Sequence, residues 1–260
     1  LRRGALIFKD SAGSAETYAL SQPTSHVDVF ISHNWSMPAF EKFLALALHF
    51  NFGPALIAAT VLVTMLGVLT IADVMPTTAG GTFPFPERMG VCCLGVSIPS
   101  FVVTLLFLRD IQHLFSGHGP GVFVDKLCID QRSDEAKREG IEKLAAFLAD
   151  SDVMLVLYSD VYLSKLWTVY ELASFVSLHN VEHLHIVPAF KAKGIISLAV
   201  VLWFGWILGQ RVHRATEDGF TRWLFQLPPG LILALFSRHW MRKKAALHRH
   251  IEEFRTDKCS

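Results

Sequence analysis

Charged residues are scarce in this sequence, and their two signs nearly balance. Asp, Glu, Lys and Arg make up 18% of the 260 residues, whereas an average soluble domain carries about 25%. Hydrophobic residues reach 52%, which excludes a disordered chain, because disorder requires low hydrophobicity and high charge. Lys and Arg number 24 against 23 Asp and Glu, so no positive field is present to attract nucleic acid. The composition therefore favours membrane segments and no nucleic-acid partner.

Cysteine is also rare, and its spacing is uninformative. The sequence lacks a C-x-x-C pair, so it predicts neither a zinc site nor a disulfide framework. His183 and His185 alternate along a predicted strand, but no third ligand stands at a suitable spacing, so no metal is expected. A G-x-S-x-G motif is absent too. The four cysteines are Cys92, Cys93, Cys128 and Cys259.

Two long apolar runs lie close together in the first half of the chain. Residues 54–73 are uncharged up to Asp73, and residues 90–108 carry no charge. A membrane-crossing helix needs about 20 apolar residues, and both runs meet that length. The connector, residues 74–89, is rich in Pro and Gly and predicts a turn. A transmembrane hairpin is therefore expected over residues 51–109. The alternative, a pair of buried core helices, exceeds what a small core can bury.

A second apolar pair is weaker. Residues 194–209 form one run, and residues 223–237 form another that Pro228 and Pro229 interrupt. Proline removes a hydrogen bond and kinks a helix, although membrane helices tolerate it better than soluble ones. The pair predicts a hairpin over residues 193–238 that either spans the membrane or is re-entrant.

Positive charges flank both apolar pairs on their outer sides. By the positive-inside rule, these flanks and the polar segments that they carry face the cytosol. The sequence thus predicts a multi-pass membrane protein, in contact with lipid, with a cytosolic polar domain. The flanking cations are Lys42, Arg109, Lys191, Lys193, Arg238, Arg242, Lys243 and Lys244.

The polar segments have the pattern of an α/β domain. Four short apolar runs are typical of strands buried on both faces, as in a parallel sheet covered by helices. Helical patterns over residues 141–148 and 166–179 alternate with them. If the first two strands pair, the insertion between them must cross the membrane an even number of times. The predicted strands are residues 27–32, 122–129, 152–158 and 184–190.

The order of these polar segments resembles the TIR (Toll/interleukin-1 receptor) domain family. The resemblance covers about 105 residues, and its most specific part is the block around the third strand, with its Ser, Tyr, Trp and Glu-Leu pattern. Thr168 departs from it, because many relatives have Cys after the Trp. The matching segments read VDVFISHNWS (27–36), VFVDKLCIDQRSDEAKREGI (122–141), LADSDVMLVLYSDVYLSKLWTVYELASF (148–175) and HIVPAF (185–190).

The resemblance implies a flavodoxin-like, TIR-type parallel sheet that is split by one hairpin and followed by another. The expected division is an N-terminal segment at 1–25, TIR-like parts at 26–50 and 110–192, hairpins at 51–109 and 193–238, and a C-terminal amphipathic helix at 239–260.

Many TIR domains cleave NAD⁺ at the nicotinamide–ribose bond. The resemblance places the family's catalytic glutamate at Glu171, four residues after Trp167. NAD⁺ is then a substrate, and no bound cofactor is implied. Because ligands of open α/β sheets lie at the carboxyl ends of the strands, the loops after the first and third strands are candidate binding segments. The candidate NAD⁺-binding residues are Ser32, His33, Asn34, Trp35, Ser159, Tyr162 and Trp167.

Glu171 is unusual by the residues around it as well. It is the only formally charged residue between Lys165 and Glu182, and its helical neighbours are apolar. Burial would raise the pKa of such an acid and mark a candidate site. The competing interpretation is a helix glutamate that reaches solvent or caps a loop.

Two further functions remain open on the sequence. One is a non-catalytic signalling module that self-associates with other TIR-like domains through residues 131–140. The other is a transporter or channel, which is disfavoured because the first hairpin carries no ionisable residue between Pro54 and Ala72.

Overall fold

The computed structural model describes residues 7–9, 11–79, 88–115, 119–216 and 219–252. The chain divides into two compact units. One comprises Leu1–Leu46, Phe115–Lys193 and Arg242–Ser260, and the other Ala47–Leu114 and Gly194–Met241. The first unit contains a parallel sheet, and the second contains long apolar helices.

Strands and helices are numbered along the chain. The strands are β1 (Val27–His33), β2 (Thr77–Ala79), β3 (Arg88–Gly90), β4 (Val122–Phe123), β5 (Ser151–Tyr158) and β6 (Leu184–Pro188). The helices are α1 (Ala15–Tyr18), α2 (Ala39–Ile71), α3 (Val91–Phe115), α4 (Asp125–Cys128), α5 (Asp134–Glu142), α6 (Leu144–Ala149), α7 (Leu166–Leu178), α8 (Ala189–Thr216) and α9 (Gly219–Glu252).

The sheet is parallel throughout, with the strand order β4-β1-β5-β6. Val29 of β1 is in register with Val122 of β4 on one side and with Val153 of β5 on the other. The predicted α/β class and the pairing of the first two strands are therefore confirmed. Strands that are far apart in sequence meet because the residues between them leave the sheet and return to it.

The second strand is shorter than predicted. Strand β4 ends at Phe123, whereas the apolar pattern predicted a strand to residue 129. Helix α4 begins directly afterwards, where the Asp125 carboxylate accepts a hydrogen bond from the Lys126 backbone N–H at 2.6 Å. The amides of Leu127 and Cys128 both donate to the Val124 carbonyl. The Asp125 side chain thus competes with the hydrogen bonds of the sheet for a backbone N–H, which ends the strand.

The helical pattern over residues 141–148 also differs from the prediction. It is divided between α5 and α6, which meet at Lys143. Leu144 and Leu148 are buried as expected, but Ile141 is 37% exposed. The predicted helix over residues 166–179 is confirmed as α7.

Aromatic stacking joins the centre of the sheet to the helix that covers it. The rings of Phe30 on β1 and Phe123 on β4 are stacked with centroids 4.6 Å apart. Phe147 of α6 packs on Phe123 at 4.7 Å. Leu144 and Leu148 of α6 belong to the same buried cluster. This core holds the carboxyl ends of β1, β4 and β5 in place.

By length and composition, three helical segments among the described residues could cross a membrane. They are Ala39–Ile71, Val91–Leu108 and Ala189–Gly209. The connector predicted as a turn contains the antiparallel β2–β3 pair at its two ends. Helix α9 continues through Pro228 and Pro229 to Glu252 and has no break at residue 239, where the predicted C-terminal helix begins. Residues 253–260 of that prediction lie outside the described range.

A close approach between α8 and α9 depends on Gly194. A β-carbon at this position would lie 2.5 Å from Cε2 of Phe236. We expect Gly194→Ala to destabilise the protein by about 1–3 kcal/mol, because the ring must move out of a packed position. Gly67→Ala is the matched control, since its β-carbon meets nothing within 4 Å and alanine favours a helix. Thermal unfolding in detergent measures both, and equal midpoints would contradict the prediction.

Candidate functional site

A cleft of about 370 Å³ opens at the carboxyl ends of the parallel strands. The last residue of β1, His33, and the loop residues Asn34 and Trp35 form part of its wall. Asp125 follows β4 and also lines it. The beginning of α7 contributes Trp167 and Thr168. Ligand sites of open α/β sheets lie at this edge, and the volume is within the range of about 300–1,000 Å³ found for small-molecule pockets.

Three hydrogen-bonding side chains are buried beside this cleft. Ser32, at the carboxyl end of β1, donates to Oε2 of Glu171 at 2.5 Å. The Ser32 hydroxyl also lies 2.6 Å from the Tyr162 hydroxyl. Glu171 is only 3% exposed, and Tyr162 is fully buried. The acid therefore lies inside the domain, which contradicts the interpretation that it reaches solvent.

Burial dominates the electrostatics of Glu171. Desolvation raises the pKa of its carboxyl to about 8, and the Asp125 charge acts in the same direction. Hydrogen bonds from Ser32 and Trp167 act in the opposite direction. At neutral pH the carboxyl is consequently protonated for most of the time, which leaves one proton to donate and one oxygen to accept.

The first turn of α7 is fixed by Thr168. Its hydroxyl donates to the Lys165 carbonyl at 3.0 Å and also to the Tyr162 carbonyl. Because these bonds close the loop onto the helix, they hold Trp167 on the cleft wall and Glu171 one turn further into the domain. A hydroxyl at position 168 thus has a structural reason.

Aromatic rings and one carboxylate hold the loop after β1. The Trp35 indole N–H donates to Asp125 Oδ2 at 2.8 Å, and the ring packs edge-on against His33 with centroids 4.5 Å apart. Phe8 contacts the other side of His33 at 5.6 Å. Burial lowers the pKa of His33 to about 4, so the imidazole is neutral at pH 7.

The residues predicted from the sequence fall into three groups. His33, Asn34, Trp35 and Trp167 line the cleft. Ser32, Tyr162 and Glu171 form the buried hydrogen-bonded group beside it. Ser159 belongs to neither, and its buried hydroxyl has no hydrogen-bond partner among the described residues.

Sequence reasoning missed several cleft residues. Asp125, Lys137, Lys165 and Thr168 all line the cavity. The signal for Asp125 was present, because it lies directly after a strand of the sheet. Lys137 lies on α5, which no strand-end rule brings to this edge.

Comparison with known proteins identifies no relative. No protein-family model matches the chain, and neither a curated protein nor a solved structure matches it.

Proposed function

We propose that the protein is a membrane-embedded, TIR-like NAD⁺ glycohydrolase whose catalytic residue is Glu171. One observation carries the proposal: an isolated, buried carboxyl lies beside a cleft at the carboxyl edge of a parallel sheet. The sheet supports the TIR-type assignment, because its strands follow the order second, first, third, fourth, as in flavodoxin-like sheets. The three apolar helices support a multi-pass arrangement with lipid around them. The sheet is assigned to the cytosol because positive charges flank the hairpins.

The chemistry suits an acid of this kind. Cleavage of the nicotinamide–ribose bond releases neutral nicotinamide and leaves a ribosyl group with oxocarbenium character. The pyridinium of NAD⁺ is positively charged, so its approach lowers the pKa of a neighbouring carboxyl. Glu171 then releases its proton to solvent and stabilises the developing positive charge. Water attacks the anomeric carbon and loses a proton as the new C–O bond forms. When the products leave, Glu171 takes up a proton again, so the net products are nicotinamide, ADP-ribose and one proton.

Access to the carboxyl involves the beginning of α7. Trp167 lines the cleft one helical turn before Glu171, and it acts to lower the pKa of the carboxyl. Since Glu171 is almost completely covered, the proposed reaction requires a movement at the cleft wall for a ribose to reach the carboxyl, and we assign this movement to the Trp167 indole. Ser32 retains the carboxyl during this movement through its own hydrogen bond.

The decisive test is nicotinamide release from NAD⁺ by the purified full chain in detergent. We expect turnover by the wild type and a loss of at least 100-fold in kcat for Glu171→Gln, which keeps the shape and the Ser32 contact but cannot become an anion. The matched control is Glu182→Gln, because Glu182 is exposed outside the cleft. Retained cleavage by Glu171→Gln would disprove the proposal.

The alternative, a non-catalytic module that relays signals by self-association, has one observation in its favour. Helix α5 (Asp134–Glu142) overlaps the segment 131–140 and buries none of its side chains. A wild-type protein that self-associates and releases no nicotinamide would favour this alternative over the enzyme.

A further inference from the structure

Lys42 is a buried cation that takes no part in the reaction proposed for Glu171. It lies in the first turn of α2 and is fully buried. Within the described part of the chain, its ammonium nitrogen has no hydrogen-bond partner. A buried charge is costly unless it is paired and hydrogen-bonded. An ammonium with three unused donors is therefore a position where a missing acceptor would stabilise the protein.

The groups around Lys42 are aromatic. Its Nζ lies 4.5 Å from the centroid of the Trp35 ring and 5.9 Å from that of Phe8. Cation–π attraction compensates part of the desolvation, but a ring face accepts no conventional hydrogen bond. The ammonium thus lies against the Trp35 indole, which lines the cleft, whereas Lys42 itself does not line it.

The carboxylate in this wall is already engaged. Asp125 Oδ2 accepts the indole N–H of Trp35 at 2.8 Å, and Oδ1 accepts the Lys126 backbone N–H at 2.6 Å. It moderates the local field, but within the described part of the chain it makes no hydrogen bond to the ammonium of Lys42. The acceptor that Lys42 lacks is consequently expected from a ligand.

The charge around the cleft also favours an anion. Lys126 is buried, and its Nζ lies 5.9 Å from the centroid of the same Trp35 ring. Lys137 and Lys165 line the cleft, with Asp125 as the acid in its wall. Two lysines therefore line the cleft and two more lie near its Trp35 wall, against one cleft-lining carboxylate. This balance favours a ligand with more than one negative charge.

We propose that Lys42 is the anion-binding group of the cleft and takes the phosphoryl oxygens of a diphosphate-bearing ligand when the Trp35 indole turns aside. The identification of that ligand as NAD⁺ rests on the proposed function, whereas the affinity for a diphosphate does not. Trp35 closes over the ammonium when no anion is present.

The test is calorimetric titration of inorganic pyrophosphate into the full chain in a phosphate-free maltoside detergent, which removes lipid phosphate as a competing source. We expect Lys42→Met to weaken binding at least tenfold. The matched control is Lys193→Met, which loses the same charge from an exposed lysine that pairs with Glu41 at 3.1 Å. Absence of pyrophosphate binding by the wild type, or equal affinities for the two variants, would overturn the proposal.

Two additions keep the result interpretable. Each variant is first checked for a cooperative thermal transition, and Lys42→Gln replaces Lys42→Met if the latter does not fold.

If nicotinamide release is measurable, Lys42→Met should raise KM for NAD⁺ with little change in kcat, whereas Glu171→Gln should lower kcat. Pyrophosphate binding through Lys42 without any NAD⁺ cleavage would refute the enzyme and leave the anion site standing. Cleavage of NAD⁺ by Lys42→Met with an unchanged KM would refute the anion site and leave the enzyme standing.

Discussion

Relative to the wild type, Glu171→Gln is expected to gain several kcal/mol of unfolding free energy between pH 5 and pH 8. The pKa of Glu171 rises from its ordinary value of 4.5 to about 8 in the folded protein. The folded state therefore binds more protons than the unfolded state between these pH values, so wild-type stability falls as pH rises through this window. One pKa unit corresponds to about 1.4 kcal/mol. Glutamine has no proton to lose, so the variant lacks this decline.

The comparison between variant and wild type is necessary because His33 acts in the opposite direction. Its pKa is lowered from 6.5 to about 4, so the unfolded state binds more protons in that range and stability rises with pH. The effects of His33 and Glu171 overlap below pH 6.5. Above pH 6.5, His26 adds a decline of its own, because its hydrogen bond with Asp152 raises its pKa. Both histidine effects are common to the variant and the wild type and cancel in the comparison. Thermal unfolding in detergent from pH 5 to pH 9 measures the difference. Parallel curves for Glu171→Gln and the wild type would show that the carboxyl is not held neutral by burial.

Much of the sheet could be predicted because the central strands are marked by apolar runs in their own sequence. The runs at β1 and β5 are mostly apolar, and such runs are typical of a parallel sheet covered on both faces. Strand β4 could not be bounded in this way. Its apolar pattern continues to Ile129, but the Asp125 carboxylate binds the next backbone N–H and begins a helical turn. Periodicity does not include such side-chain competition for the backbone.

The site was predictable where it follows from the chain order of the strands. His33, Asn34 and Trp35 were expected at the cleft because they follow β1, and the isolation of Glu171 among apolar neighbours indicated burial. Lys42 shows the limit of this reasoning. In the sequence it is one of several cations flanking an apolar run, which suggests a solvated charge. Only the folded structure brings Trp35 and Phe8 over its ammonium.

Two phenylalanines of the chain, Phe30 and Phe40, provide the sharpest test of the core. Phe30 is fully buried on the central strand and stacks on Phe123. Phe30→Ala is expected to destabilise the protein by about 3–5 kcal/mol, because it removes a large apolar side chain and leaves a cavity that the sheet cannot close.

Phe40→Ala is the control for this substitution. It removes the same atoms from a side chain that is 57% exposed, so its effect should stay within about 0.5 kcal/mol. Urea unfolding of both variants, followed by hydrogen exchange of the β1 and β5 amides, measures the difference. Because Ser32 lies two residues beyond Phe30 on the same strand, loss of this packing should also loosen the hydrogen bond that positions Glu171. Equal stabilities of the two variants would contradict the stacked Phe30–Phe123 core, and with it the placement of Ser32 beside the acid.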